Sequence, residues 1–258
     1  MALILLLLPG AAACTPDPAG EGSSFIHIGG VSIKKLADNC KEITDGAGRI
    51  LVLVPRGQNP PPGYDKNQII KTPVRRIVAY SGFNVSMLKA LGVLDTLVGV
   101  THPQDYWTID EVSSGMESGR ITYVGEASTI DFEKLKSLEP DLVLTWAPCT
   151  ISITTELDIL GVITVAGEAM NLDTRIRFAH FPARFFNREK EAASYVARVK
   201  NAIKEVEDIP LDAGHRPRVI WSNICEKRVL VEPANSWASE MVELAGGDYL
   251  FADVFGAS

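Results

Sequence analysis

Apolar residues recur along this chain in two rhythms. From Pro73 onward, short runs that suit buried strands alternate with stretches at helical spacing. VRRIVAY predicts a strand and VSMLKALG a helix closed by Gly92. DTLVGVT and ITYVG predict strands, IDFEKLKSLEP a helix stopped by Pro140, and DLVLTW a buried strand. TTELDILG then predicts a helix ending at Gly161, and VITVAG another strand. Such alternation implies parallel pairing. Right-handed crossovers then bring all strand C-terminal ends to one edge.

A longer helical period runs between Asp173 and Glu207 and is clearest in NREKEAASYVARVKNAIKEVED, with Ala192, Val196, Val199, Ile203 and Val206 on one stripe. We expect one rigid helix joining two α/β lobes with a ligand cleft between them. The alternative is a surface helix of one continuous domain. Beyond it, RVIWSN predicts the first strand of a second sheet, RVLVEP its neighbour and SWASEMVELAGG a helix. One or two strands and a helix cannot enclose a core, so the natural protein is expected to continue further. Upstream, ITDGAGRILVLVP has the form of a hairpin turning at Asp45 to Gly48, followed by the Pro- and Gly-rich connection RGQNPPPGYDKNQ. The expected division is a signal and tether (1–24), a hairpin and linker (25–72), a first α/β lobe (73–170), a linking helix (171–212) and a partial second α/β lobe (213–258).

A formal net charge of −7 leaves no basic surplus for neutralising phosphates, which argues against a general nucleic-acid binder. The leader MALILLLLPGAAAC is too short for a stable bilayer span but fits an export signal. Its Ala11, Ala12 and Ala13 before Cys14 resemble a lipoprotein cleavage site, making Cys14 the candidate lipidated residue; a plain secretory signal is the alternative. TPDPAGEGSS then reads as a flexible tether. Cys40, Cys149 and Cys225 form no CxxC or Cys/His cluster, so no protein-held metal is expected.

PVRRIVAYSGFNVSMLKALGVLDTLVGVT, VGEASTIDFEKLKSLEPDLVLTW and the AGG after the last helix resemble, in register, the substrate-binding proteins of ABC importers for iron–siderophore, haem and cobalamin, the helical-hinge class. The resemblance runs from about Ile43 to Asp253. It implies two Rossmann-like lobes joined by one long helix, and no chemistry on the ligand. It also implies an extracytoplasmic protein, lipid-anchored to the cell membrane, that delivers an iron or cobalt complex to an ABC permease and its ATPase. An exposed acidic residue on each lobe would face the permease: Glu156 on the first, and Glu240, with Glu243 as runner-up, on the second.

Ligands of parallel sheets meet the loops at strand C-terminal ends. Those loops carry Tyr80, Ser81 and Phe83; Gln104, Tyr106 and Trp107; Gly125 and Glu126; and Trp146. The second lobe offers Trp221 and Asn223 at the equivalent edge, with Arg228 and Trp237 as secondary candidates. Aromatic rings at such ends suit a flat, largely apolar metal complex. Single groups such as His102 or Glu126 do not make a site for a bare ion. Arg175, Arg177, Arg184 and Arg188, near the start of the linking segment, read either as partners for anionic groups of a chelate or as helix-surface salt bridges. An enzyme on the same fold is a competing class, but no GxSxG elbow, P-loop or GxGxxG after a strand is present. A cell-surface sensor or adhesion module is the third.

Overall fold

The computed structural model describes residues 25–28, 30–145, 161–163, 171–210, 214, 216–225 and 228–256, with residues 25–27, 161–163, 223–225 and 228 described by backbone alone. Residues 25–72 carry β1 (Phe25–Ile28), β2 (Val31–Lys35), β3 (Lys41–Thr44), β4 (Ile50–Pro55) and β5 (Ile69–Thr72), hydrogen-bonded in that order. The expected hairpin is β3–β4. Its turn is fixed by buried Asp45, which accepts from the backbone N–H groups of Ala47 and Arg49 at 3.0 Å each. The expected linker is corrected: after the Pro-rich loop the chain returns as β5, which pairs with β4 in parallel. A hairpin alone would be marginal, whereas five strands with an apolar face can share a core. Ile28, Ile33, Ile43, Leu53 and Ile70 belong to the same buried cluster as the central sheet.

That central sheet comprises β6 (Ile77–Ala79), β7 (Leu97–Val100), β8 (Thr122–Tyr123), β9 (Leu142–Thr145) and β10 (Gly161–Ile163), all parallel, in the order β10-β9-β6-β7-β8. The predicted strands are all present. The helices α1 (Gly82–Ala90), α2 (Asp110–Glu117) and α3 (Phe132–Ser137) lie between them. Ser81 caps α1 and Asp131 caps α3 by accepting backbone N–H groups two or three residues into each helix. The pattern reading missed α2, whose core-facing positions are only Val112 and Gly115. A Cβ on Gly115 would stand 2.6 Å from Ile121, so the glycine that weakens the helical signal is what lets the helix approach the next strand.

The long helix holds over its clearest stretch, and only its expected start at Asp173 is corrected. The segment forms α4 (Leu172–Arg177), α5 (His180–Phe186) and α6 (Glu189–Glu207). Pro182 has no N–H to return to Phe178, and its ring opposes a helix continuing through that carbonyl. Asn187 then ends α5 in the left-handed conformation, at φ 57°. The three pieces are joined by packing: Phe178, Phe181 and Phe185 are wholly buried, and Phe185 accepts from the backbone N–H of Val74 at 2.8 Å. In α6 only Ala192 is buried, and Val206 remains exposed.

RVIWSN divides at Ile220 and Trp221. β11 (Arg218–Val219) pairs in parallel with β14 (Asp248–Tyr249), whereas β12 (Ser222–Cys225) and β13 (Arg228–Val231) form an antiparallel hairpin. Between β13 and β14, α7 (Trp237–Leu244) is capped by Ser236. β11, α7 and β14 thus repeat the parallel strand–helix–strand rhythm of the central sheet.

Candidate ligand site

The chain reverses its direction of travel across the central sheet at β6, which has β7 and β8 on one side and β9 and β10 on the other. Ligands of open parallel sheets collect at such a switch point. Here the β6 end delivers Tyr80, Ser81 and Phe83. Tyr80 is buried, with its carbonyl accepting from the Thr101 hydroxyl, so it shapes the core and offers no open face. The Ser81 oxygen accepts from Asn84 N–H at 3.2 Å. Phe83 is half-buried on the first turn of α1.

After β7, exposed Tyr106 stacks on His102, with ring centroids 3.9 Å apart and planes inclined at 20°. Its hydroxyl lies against Gly82, where an added Cβ would be 3.3 Å away, so the loops after β6 and β7 meet. Trp107 is the other ligand candidate of this loop. It is buried, and its indole N–H donates to the His102 carbonyl at 3.2 Å. In this loop Tyr106 has the available ring. Gln104 is exposed and donates to Glu117. After β8, Gly125 has φ +95°, and a Cβ there would strike the Thr129 carbonyl at 2.6 Å, which is a turn requirement. Exposed Glu126 accepts from the Tyr123 hydroxyl.

The first lobe and the C-terminal segment meet on one cation. The Arg175 guanidinium carbon lies 4.5 Å from the Phe83 ring centroid and 4.2 Å from that of Trp237. Trp237 in turn contacts Trp221 edge to face, with centroids 5.3 Å apart. Phe83, Arg175, Trp237 and Trp221 therefore form a continuous row from the end of β6 to the end of β11. Burial lowers the pKa of Arg175, against the opposing field of Glu232. The other linker arginines have carboxylate partners: Arg177 with Asp173, Arg184 with Glu189 and Arg188 with Glu191. Sequence reasoning placed Phe83 and Trp221 in the site and named Trp237 and Arg175 only at its margin. An arginine at a helix start beside an aromatic two elements away leaves no periodic signal.

A separate groove of about 690 Å³ is lined by Leu172, Ile176, Ile203, Val206 and Leu244 and by charged residues that include Glu240 and Glu243. It includes none of the residues of the row. Glu240, expected to be exposed, is half-buried there, and its carboxylate accepts the backbone N–H of Leu172 at 2.8 Å. Glu243 is exposed. Trp146, Glu156 and Cys14 lie outside the described residues, as do the side chains of Asn223 and Arg228. Among the described residues no cluster of His, Cys, Asp and Glu could hold a metal, and no helix is long and apolar enough to cross a membrane.

A family model described as periplasmic binding protein matches residues 77–255. The chain is 23% identical over 206 residues to an uncharacterised lipoprotein of Methanocaldococcus jannaschii, covering 74% of this chain and 49% of the relative. It is 25% identical over 189 residues to the vitamin B12-binding protein of Vibrio cholerae, covering 70% of this chain and 62% of the relative. It thus spans half to three-fifths of the length of these curated relatives. A solved structure of a possible iron-binding, periplasmic solute-binding protein of Staphylococcus epidermidis matches with TM-score 0.56 at 19% identity, covering 72% of this chain and 70% of that one. At that identity the likeness concerns the fold.

Proposed function

The chain belongs to the periplasmic binding protein family, and on that premise we propose that it captures a metal complex between two α/β lobes for delivery to an ABC permease. The observation that carries this reading is the row Phe83–Arg175–Trp237–Trp221, which joins strand-end rings of the first lobe to those of the C-terminal segment. Rings at the ends of parallel strands offer broad apolar contact to a flat ligand, and no nucleophile–base pair is needed to hold one. The B12-binding and iron-binding descriptions of the relatives point to the same ligand class. The lipoprotein relative, together with Ala11 to Cys14, supports a protein anchored outside the cytoplasm through lipid on Cys14; fractionation of a Cys14→Ser variant, expected in the soluble fraction, checks the anchor. One acyl chain holds only marginally, so a diacyl modification is implied.

The function is tested by titrating the chain with haemin, ferric citrate and cyanocobalamin and following its tryptophan fluorescence. Saturable quenching by at least one of them at micromolar concentration or below is the expected result. A flat response to all three would contradict the metal-complex reading.

A further inference from the structure

We propose that the hairpin β12–β13 is a self-association arm: β13 pairs with β13 of a second copy of this chain, antiparallel about a two-fold axis at Leu230. The inference is independent of what the protein binds between its lobes.

The hairpin forms a two-stranded sheet, and among the described residues no third strand lies on either edge. Val229 and Leu230 are adjacent and therefore on opposite faces, yet they are 58% and 57% exposed, so neither face of β13 is covered there. Two strands alone are marginal in water, and an open apolar edge is a template for another strand. The register decides which backbone groups that edge offers. Cys225 pairs with Arg228 across the turn, Ile224 with Val229, Asn223 with Leu230 and Ser222 with Val231. In such a tight hairpin the pair nearest the turn is hydrogen-bonded, and bonded and non-bonded pairs then alternate. The Glu232 N–H, donating to the Trp221 carbonyl at 3.4 Å, continues this alternation at the far end. Arg228, Leu230 and Glu232 thus turn their backbone N–H and C=O groups to β12, whereas Val229 and Val231 turn theirs outward.

The run Arg228-Val229-Leu230-Val231-Glu232 is complementary to itself. Laid antiparallel on a second copy with Leu230 on the axis, Val229 of each copy falls opposite Val231 of the other. These are the residues whose backbone groups face outward, so both N–H···O bonds of each pair can close. Leu230 meets Leu230 as the central non-bonded pair, the kind in which side chains come closest. Arg228 falls opposite Glu232 at both ends, so charge and apolar pattern agree on one register. A parallel arrangement would set Arg228 beside Arg228 and Glu232 beside Glu232, and like charges directly opposite are destabilising. A slip by one residue would set Val229 opposite Leu230, whose backbone groups serve β12, and the ladder would not close. The root of the arm is fixed, because the Glu232 carbonyl accepts the Tyr249 hydroxyl of β14. The charges select the register, and the backbone bonds with the Val–Leu–Val surface hold one continuous antiparallel sheet across the two copies.

Sedimentation velocity of the 258-residue chain across a micromolar concentration series tests this, with a monomer–dimer equilibrium as the expected result. Val229→Pro removes an outward N–H without touching a bond to β12, and Leu230→Lys sets like charges together on the axis. Each should raise the dimer dissociation constant by roughly tenfold or more, with the far-ultraviolet circular dichroism unchanged. Because the axis passes through Leu230, a Leu230→Cys variant should link to its own copy under mild oxidation, faster than the unmodified chain forms any disulfide dimer. That variant decides the matter if the other two do not fold. A monomer at every concentration, a dimer unaffected in folded Val229→Pro and Leu230→Lys variants, or no gain in crosslinking with Leu230→Cys would overturn the inference. None of these outcomes bears on the ligand reading, which has its own titration.

Discussion

Replacing Phe181 with alanine is expected to destabilise the protein by about 3–5 kcal/mol, the usual cost of emptying a fully enclosed phenylalanine site. Phe181 is wholly buried and packs against Phe178 and Phe185, with ring centroids 5.7 and 5.3 Å away. Its helix touches β2 and β5 on one side and α6 on the other. The resulting cavity would therefore open where the N-terminal sheet, the first lobe and the linker converge, and three elements held at different angles cannot collapse into it together. Against a typical total stability of about 5–15 kcal/mol, this loss is large. Urea unfolding followed by far-ultraviolet circular dichroism gives the answer: the midpoint should fall sharply with the slope unchanged. A loss below about 1 kcal/mol would mean that the three elements do not depend on this packing.

Replacing Trp237 with alanine is expected to reduce affinity for the preferred metal complex by roughly 30- to 700-fold, about 2–4 kcal/mol on the scale of aromatic hot spots. The ring has two roles in this account. It supplies one face of the enclosure around Arg175, and it bridges Arg175 to the partly exposed Trp221. Its loss would hydrate the guanidinium, free its rotamers and separate the two halves of the aromatic row. Trp237→Phe retains a face over the cation and should recover much of the binding. Dialysis with the best probe measures both variants, and an unfolding midpoint for each separates lost affinity from lost fold. A folded Trp237→Ala protein that binds as tightly as the unmodified chain would remove the row from the site.

How much was legible in the sequence depended on whether a feature was periodic. The parallel strands were readable because each is a short apolar run bounded by a cap, a glycine or a proline, as with Ile77–Ala79 before Ser81 and Leu142–Thr145 after Pro140. Where the period was real but interrupted, the reading ran too far. Pro182 and Asn187 were in view, yet the apolar stripe on either side concealed the two breaks. Strands β1, β2 and β5 were missed because each is short and partly polar, and because β5 gains its role only by pairing with β4 across the Pro-rich loop.

Site residues depended on packing, which the sequence does not express locally. Trp107 lies in a polar loop by sequence but turns inward because its N–H finds the His102 carbonyl. Tyr106, its neighbour, keeps the outward position. Glu240 falls on the polar side of its helix pattern, yet the approach of α4 places the Leu172 N–H against it. The Phe83–Arg175–Trp237 contact brings together residues far apart in the chain, and only the fold reveals that Arg175 differs from its three neighbours.

The most direct test of the central claim, that the ligand lies between the first lobe and the C-terminal segment along this row, is hydrogen–deuterium exchange of the chain with and without the tightest-binding probe. Protection is expected in both 80–85 and 218–237, together with 102–107 and the turn of α4 that carries Arg175. Protection confined to one of those sides, or centred on the groove between α6 and α7, would contradict it.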